Sequence, residues 1–478
     1  MPSKKKSHSA KEPAARPVAE VLPQTHMKPV AERMAAGKAL RERCSRKKQS
    51  QWQPQADRAD PVDLLVENSR NRVEHLIPIR YGRMLANPFA FYRGAAAIMA
   101  YDLAQTPSTG LNIQICGDCH LLNFGGFATA ERRLIFDLND FDETAIAPWE
   151  WDIKRLAVSF VIAGQANGFA GDDSREAAWL AAQSYRQTVA GYTGMPVLEA
   201  WYDALDLNDI IDHIKDKQGK RFYTKKLAQA TAESAHEKEF AKLAFASGNP
   251  VRIIDQPPLI FHTNDIRDEA FRALAEQSMA DYLRSLQLHK RLLLNRYQLT
   301  DVAFKVVGVG SVGTLCGIAL LMSGNGDPLF LQFKQARPSV LEPYAGASPF
   351  THAGQRVVVG QRLMQAASDM FLGWFTGTGE HGWQFYMRQL KDAKIKPVVE
   401  VMNPENLKGY ATLCGRALAR AHARSGDAAV LSGYMGKSSA FEDALTDFSL
   451  AYADQNERDH AALVTAVRTG RIAAQVEA

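Results

Sequence analysis

Between two long stretches of helical periodicity lies a segment that cannot be helix. Asp301 to Val307 is rich in valine and phenylalanine, and Gly308-Val309-Gly310-Ser311-Val312-Gly313 then interrupts the chain. Leu315 to Met322 is an apolar run of strand length, closed by the turn formers Ser323-Gly324-Asn325-Gly326-Asp327-Pro328. Leu329 to Lys334 reads as a third strand. Strands joined by such short turns pair antiparallel, because a parallel pair needs a crossover of a dozen residues or more. A helix around 354–372 and a strand from Gln384 to Leu390 follow. Residues 150–298 are mostly helical, broken by Gly/Pro/Asn clusters near 164–173 and 248–258, and Leu407 to Arg424 is a further helix. The expected class is α+β.

The part before residue 150 adds short elements with polar loops between them. Asn87-Pro88 is a helix start, with Asn as cap and Pro in the first turn, and the helix is predicted to run to about Leu103. Leu111 to Ile115 alternates as a strand does. It leads into Cys116-Gly117-Asp118-Cys119-His120-Leu121-Leu122-Asn123. A second strand, Arg133 to Phe136, leads into Asp137-Leu138-Asn139-Asp140-Phe141-Asp142-Glu143. From Trp151 onward Ile153, Leu156, Ala157 and Phe160 mark one face of a helix.

Charge is unevenly placed. The 478 residues carry 57 Lys and Arg against 52 Asp and Glu, a net charge of +5. Residues 1–60 alone hold 14 basic and 6 acidic side chains, so the rest of the chain is slightly acidic. That excess is too small to make the whole protein a nucleic-acid binder on charge grounds. Residues 1–60 read as a basic, mostly flexible tail with a short helix near 30–45, capable of weak contacts with anions. No apolar leader follows the basic N-terminus, and no stretch of about 18 apolar residues spans a membrane. Five scattered cysteines, Cys44, Cys116, Cys119, Cys316 and Cys414, fit a reducing cytoplasm better than a disulfide scaffold.

The glycine turn and the lysine beyond it are read together. A dinucleotide fold needs a helix after G-x-G-x-x-G and an acid about 20 residues on. Here a strand follows, and Lys334 stands where the acid should be. Strand, glycine loop, strand, turn and lysine-bearing strand is the arrangement of protein kinases, where loop and lysine hold phosphates. Gly308, Gly310, Ser311, Gly313 and Lys334 are therefore the expected nucleotide contacts. A glycine-rich hairpin with a surface lysine is the structural alternative.

Asp118 and Asn123 are five residues apart, the separation of Asp and Asn in the kinase catalytic loop. Such an Asp orients or deprotonates an acceptor hydroxyl, and the Asn oxygen binds Mg²⁺. Asp140 and Asp142 offer the carboxylates of a metal site, with Asp137 close by, which suits Mg²⁺ held mainly by phosphate, water and one or two carboxylates. Each acid taken alone is more often a turn residue. Cys116-x-x-Cys119-His120 also matches haem attachment and gives a weak zinc hint, so a metal or haem redox protein is a further reading. Asp118-x-His120 as a binuclear phosphatase start lacks the later ligands that chemistry requires.

Gly117-Asp118-Cys119-His120-Leu121-Leu122-Asn123 resembles the G-D-x-H-x-x-N loop of aminoglycoside and choline phosphotransferases. Asp140-Phe141-Asp142 resembles their metal-binding turn, and Trp151-Asp152-Ile153 resembles the helix-start aspartate that braces their catalytic loop. By that analogy His120 braces the loop rather than acting as a base, and Asp152 is structural. The body from about residue 75 to 470 more closely resembles an uncharacterised bacterial family, catalogued as domain of unknown function 2252. The carrying segments are Asn87 to Gly94, Asn139 to Thr144, Gly308 to Thr314, Gly360-Gln361-Arg362 and Ala419 to Asp427. This family brings no established substrate.

The expectation is a two-lobed protein-kinase-like fold with a small antiparallel β lobe and a large helical lobe. In kinases the glycine loop precedes the catalytic loop, whereas here Asp118 precedes Gly308 by 190 residues. The chain is therefore expected to be circularly permuted, a change folds tolerate when their termini lie close together. Lys334, the helix, the strand Gln384–Leu390 and the helix ending at His422 then follow the order of lysine strand, helix C, hinge strand and C-lobe helix. The expected regions are a tail over 1–60, a helical lobe over 61–300 with the catalytic-loop-like segment at 115–143, a nucleotide-binding lobe over 301–392, and closing helices over 393–478. The expected activity is ATP- and Mg²⁺-dependent phosphoryl transfer to a small-molecule or protein hydroxyl. Asp118, Asn123 and His120 form the catalytic loop, and Asn123, Asp140 and Asp142 the metal set. AMP transfer and a nucleotide-binding scaffold without turnover are the alternatives on the same fold. Glu342, Gln361 and Gln365 are candidates to orient Lys334, Arg93 is read as either paired near Asp118 or solvated, and His422 and Arg424 are read as approaching the cleft or, more simply, as a surface helix end.

Overall fold

The computed structural model describes residues 28–214, 216–231, 240, 243–245, 251–257, 259–263, 268–306, 308–310, 312–378, 382–390 and 394–476. Ser311 and the first 27 residues lie outside these.

Asn87 starts its helix as the sequence suggests: its side chain accepts the Ala90 N–H, with Pro88 in the first turn. The single helix expected to Leu103 is two, Pro88–Gly94 and Ala96–Ala104. Gly94 lies against Met84, whose sulfur would be 2.6 Å from a Cβ at that position. A glycine needed for this close approach also weakens the helix there.

Four short strands follow, β1 (Asn112–Ile115), β2 (Phe124–Ala128), β3 (Leu134–Leu138) and β4 (Ala145–Pro148). β1 pairs antiparallel with β4, and β2 with β3. The helix Glu150–Ala166 comes next, then Gly171–Tyr192. β5 (Leu205–Asp206) extends β3, and β6 (Ala244–Phe245) pairs with β7 (Arg252–Ile253).

The largest sheet among the described residues is antiparallel and has six strands. These are β8 (Ile260–Phe261), β9 (Tyr297–Lys305), β10 (Cys316–Ser323), β11 (Pro328–Gln335), β12 (Gly373–Thr376) and β13 (Gln384–Gln389), in the spatial order β12-β13-β11-β10-β9-β8. β8 and β12 are too short to carry a pattern and were not legible. The helix expected over 354–372 is shorter, Ala353–Met364. It stops because the next residues find tertiary partners: Gln365 donates to the Leu138 carbonyl, and the Ala366 N–H donates to Asp137 Oδ2 at 2.8 Å. Alternation along β11 puts Leu329 and Leu331 in one apolar cluster with Leu321, Phe375 and Phe385. Phe330 lies in another, with Ile318 and Leu320. Lys334 has the parity of Phe330, so it leaves the sheet on that second face.

The main core runs from Phe89 to Ala453 and joins the helices before and after the sheet into one unit. Trp149 sits inside it, stacked on Tyr185. Ala336, Leu341, Val357 and Tyr386 carry that core to the six-stranded sheet.

Residues 28–60 depart from the loose tail expected of them. The helix Val30–Arg43 packs on the helix Ala428–Met435 so tightly that a Cβ on Gly37 would be 1.9 Å from the Val430 carbonyl oxygen. Arg33 pairs with Asp427 at 2.8 Å, Arg41 donates to the carbonyls of Gly433 and Tyr434, and Arg46 donates to that of Met435. Basic side chains that looked solvated are therefore satisfying the exposed carbonyls of a helix C-terminus. Among the described residues, no helix is long and apolar enough to cross a membrane.

Candidate functional site

The loop after β1 is shaped by one glycine and held by one helix. Gly117 has φ +86°, and a Cβ there would be 2.1 Å from the Glu143 carbonyl oxygen, so only glycine fits. The helix Glu150–Ala166 then binds the loop along one face. Asp152 accepts the N–H groups of Cys116 and Gly117 at 2.8 and 2.9 Å. Arg155 Nε donates to Asp118 Oδ1 at 2.5 Å, and Ser159 Oγ accepts the Leu121 N–H at 3.0 Å. Positions 152, 155 and 159 share that face because the helical repeat is 3.6 residues. His422 Nε2 stands 3.2 Å from Asp152, and its Nδ1 is 2.8 Å from the Tyr185 hydroxyl. His422 is fully buried rather than at a surface helix end. Arg424 stacks on Trp201 and donates to the Leu363 carbonyl, away from the loop.

Within the loop, His120 Nδ1 accepts the Leu122 N–H, and burial pushes its pKa down to about 3. A neutral, hydrogen-bonded imidazole of this kind braces a turn and is a poor proton acceptor. Asn123 donates its Nδ2 to the Asp118 carbonyl at 2.5 Å, which leaves its oxygen for another partner. Cys116 and Cys119 are fully buried, and burial pushes both thiols up, Cys119 to about 11. Their sulfurs and an Asp152 oxygen lie within 4.8 Å of one another. Both Asp152 oxygens are already committed to loop amides.

The acids after β3 separate into two kinds. Asp137 is fully buried, and both its oxygens accept from Arg420 Nη2, at 2.6 and 2.7 Å. It is a structural counter-charge. Asp140 and Asp142 are part exposed and face Lys334, whose Nζ is 4.0 Å from Asp140 and 3.2 Å from Asp142. Tyr386 also donates to Asp142 Oδ1, at 2.5 Å. Burial works against the Lys334 charge, but Asp140 and Asp142 hold its pKa well above the ordinary lysine value. Of the expected orienting residues, Gln361 bonds to Gln365, Gln365 bonds to the Leu138 carbonyl, and Glu342 accepts the Ser339 N–H. The carboxylate partners of Lys334 are Asp140 and Asp142.

Asp118, His120, Asn123, Asp140 and Asp142 line one cleft of about 430 Å³, together with Gly308 and Gly310. Lys334 borders it through its contacts with the two aspartates. Gly308 has φ +71° and Gly313 φ +84°, so the turn uses its glycines as turns do. Gly313 is held at the rim, its carbonyl accepting the Val73 N–H. Ser311 lies outside the described residues. The glycine turn is clamped: Arg72 donates to the carbonyls of Gly310 and Val312 at 2.8 and 2.6 Å, and Arg83 donates to that of Gly308.

Several cleft residues carried no sequence signal. Arg72, Arg80, Arg337 and Lys396 line the cleft, whereas Arg93, which the sequence offered as paired near Asp118 or solvated, lines it beside Asp118. Arg155 was the most findable, since it sits three residues after Asp152 on the face that holds the loop.

No curated protein and no solved structure matches the chain. A family model, described as an uncharacterized protein conserved in bacteria, matches residues 72–466. That span contains the bound loop, the acidic turn and the lysine strand, and by this match the chain belongs to the bacterial family DUF2252.

Proposed function

We propose that the protein is a Mg²⁺- and ATP-dependent phosphotransferase with a permuted protein-kinase-like arrangement. One observation carries the reading. Lys334 and Asp142 are 192 residues apart in the chain, yet their side chains meet at 3.2 Å, beside a cleft that also holds Asp118 and Asn123. A lysine strand, an acidic turn and an Asp/Asn loop converging on one cavity are the parts phosphoryl transfer uses.

The donor set suits a hard cation. Asp140, Asp142 and the free oxygen of Asn123 offer oxygen ligands only, as Mg²⁺ prefers. The ion would neutralise phosphate charge there. Lys334, already held cationic, adds a second positive charge to the same phosphates. The glycine turn, clamped by Arg72 and Arg83, presents backbone to the same cleft. Asp118 keeps one oxygen on Arg155 and has the other for an acceptor hydroxyl. In the reaction the hydroxyl oxygen bonds to the γ-phosphorus, the bond to the ADP oxygen breaks, and the hydroxyl proton passes to Asp118. AMP transfer would use the same groups, with attack at the α-phosphorus and pyrophosphate leaving.

The test is a thermal melt of the full chain with ATP, with and without Mg²⁺. A ligand at about 100 times its Kd stabilises by about 2.7 kcal/mol. A Mg²⁺-dependent shift that disappears in Lys334→Met and Asp140→Asn is expected. No Mg²⁺-dependent shift at millimolar ATP would count against the reading. Where ATP binds, release of ADP or of pyrophosphate separates phosphoryl from AMP transfer, and release of neither leaves a scaffold.

A further inference from the structure

Four arginines of the cleft form no ion pair among the described residues. They are Arg72, Arg80, Arg93 and Arg337. Three of them are anchored by neutral oxygens. Arg72 holds the carbonyls of Gly310 and Val312. Arg80 holds the Ser69 hydroxyl, the Asn68 side chain and the Gly94 carbonyl. Arg337 holds the carbonyls of Asn68 and Arg70. Arg93 makes no hydrogen bond or ion pair among the described residues, and its Nε is buried without a partner.

The nearby acids are few. Glu143 lies among Arg72, Arg80 and Arg337, but its Oε2 accepts the Val340 N–H and burial pushes its pKa up. Asp118 and Glu400 face Arg93, and Asp118 is already paired with Arg155. Burial and the charges of Arg80 and Arg337 together push the Arg72 pKa well down. Buried cations are normally paired, since each costs several kcal/mol to take out of water alone. Anchored guanidiniums in a cavity, with spare donors and few counter-charges, are arranged for an incoming anion.

We propose that these cleft arginines bind a phosphate group carried by the acceptor, so that the substrate is a phosphorylated small molecule. The acceptor role rests on the phosphotransferase reading, whereas the anion site does not. Lys334 and the oxygen ligands of Asp140 and Asp142 are assigned to the nucleotide. An acceptor whose phosphate sits on Arg93 and Arg337 would present its hydroxyl toward Asp118, which lies next to Arg93.

The experiment titrates inorganic phosphate into the full chain by calorimetry, at constant ionic strength, without nucleotide. Phosphate should bind the wild type, and at least tenfold more weakly to Arg93→Gln and Arg337→Gln. Arg93 makes no hydrogen bond to lose, so Arg93→Gln should melt with the wild type, which checks its fold. Lys334→Met should bind phosphate normally. The titration is repeated with saturating Mg²⁺–ATP, where phosphate should still bind. No binding at 20 mM phosphate, or binding unchanged in both arginine variants, would overturn the site. Binding lost in Lys334→Met but kept in Arg93→Gln would overturn it too. One-for-one displacement of phosphate by Mg²⁺–ATP would assign the arginines to the nucleotide and overturn the acceptor. Failure of ATP to bind would leave the nucleotide-free titration readable by itself.

Discussion

Arg155 Nε stands 2.5 Å from Asp118 Oδ1, the arginine side chain 3% exposed and the aspartate 22%. The buried partner fixes the more open one at the cleft wall. Burial alone would lower the Arg155 pKa, but Asp118 and Tyr92 hold it above the ordinary value, so the pair stays charged. Arg155 also donates to the Tyr92 carbonyl at 3.0 Å and lies over the Tyr92 ring. Removing one member of a buried pair costs about 3–5 kcal/mol. Arg155→Met should fall at the lower end, about 3 kcal/mol by urea unfolding, because Asp118 reaches solvent. The double variant with Asp118→Asn should recover at least about 1 kcal/mol of that loss. Strict additivity of the two single changes would contradict the coupling.

Gly117 and Gly168 form a matched pair for testing the loop geometry. Both have positive φ, +86° and +73°. A Cβ on Gly117 would meet the Glu143 carbonyl at 2.1 Å, whereas Gly168 has nothing within 4 Å. Gly168→Ala should cost only the left-handed strain, about 1 kcal/mol. Gly117→Ala adds a backbone clash and should lose about 3 kcal/mol or more in chemical denaturation. Equal losses would show that the loop moves aside freely.

The two kinds of acid after β3 should respond in opposite ways. Asp137→Asn leaves Arg420 buried and unpaired, an expected loss of about 3–5 kcal/mol. Asp140→Asn leaves Lys334 with Asp142 and should change stability by less than about 1 kcal/mol. Of these two variants, Asp140→Asn should lose the Mg²⁺-dependent ATP shift and Asp137→Asn should keep it. An unaltered shift in Asp140→Asn would remove that residue from the metal set.

His120 predicts an acid limb in stability. Its folded pKa is about 3, against the ordinary 6.5, with burial the main cause. Between those values the unfolded chain binds a proton that the folded chain does not. Stability is then complete above about pH 6.5 and falls as the pH drops toward 3, at up to about 1.4 kcal/mol per unit from this group. Asn at position 120 keeps an acceptor for the Leu122 N–H without titrating. The melting temperature of His120→Asn should therefore fall less than that of the wild type between pH 6.5 and 4.5. Parallel curves for the two proteins would show that His120 titrates normally.

Much of the local framework was legible. The turn at Ser323–Pro328, the strands around it, the Asn87 cap and the helix from Trp151 are all decided by neighbours within a few residues. The cleft residues Asp118, Asn123, Asp140, Asp142 and Lys334 stood out because each lies at a strand end or polar loop. The packing of residues 28–60 was not legible, because Arg33, Arg41 and Arg46 in the sequence look like solvated charge. Their partners lie near residue 430, and nothing local announces them. Asp137 and Asp140 were equally indistinct, being three residues apart with the same side chain.

The sequence by itself determined the α+β class, the antiparallel sheet and the short list of polar residues from which a site is made. These depend on periodicity, turn chemistry and side-chain type, all of which act over short range. Only the tertiary structure decided which acids are counter-charges and which face a cleft, that Arg155 holds Asp118, and that four arginines line that cleft. Charge has its effect through distance and burial, and both are properties of segments far apart in the chain, as Asp137 and Arg420 are at 283 residues.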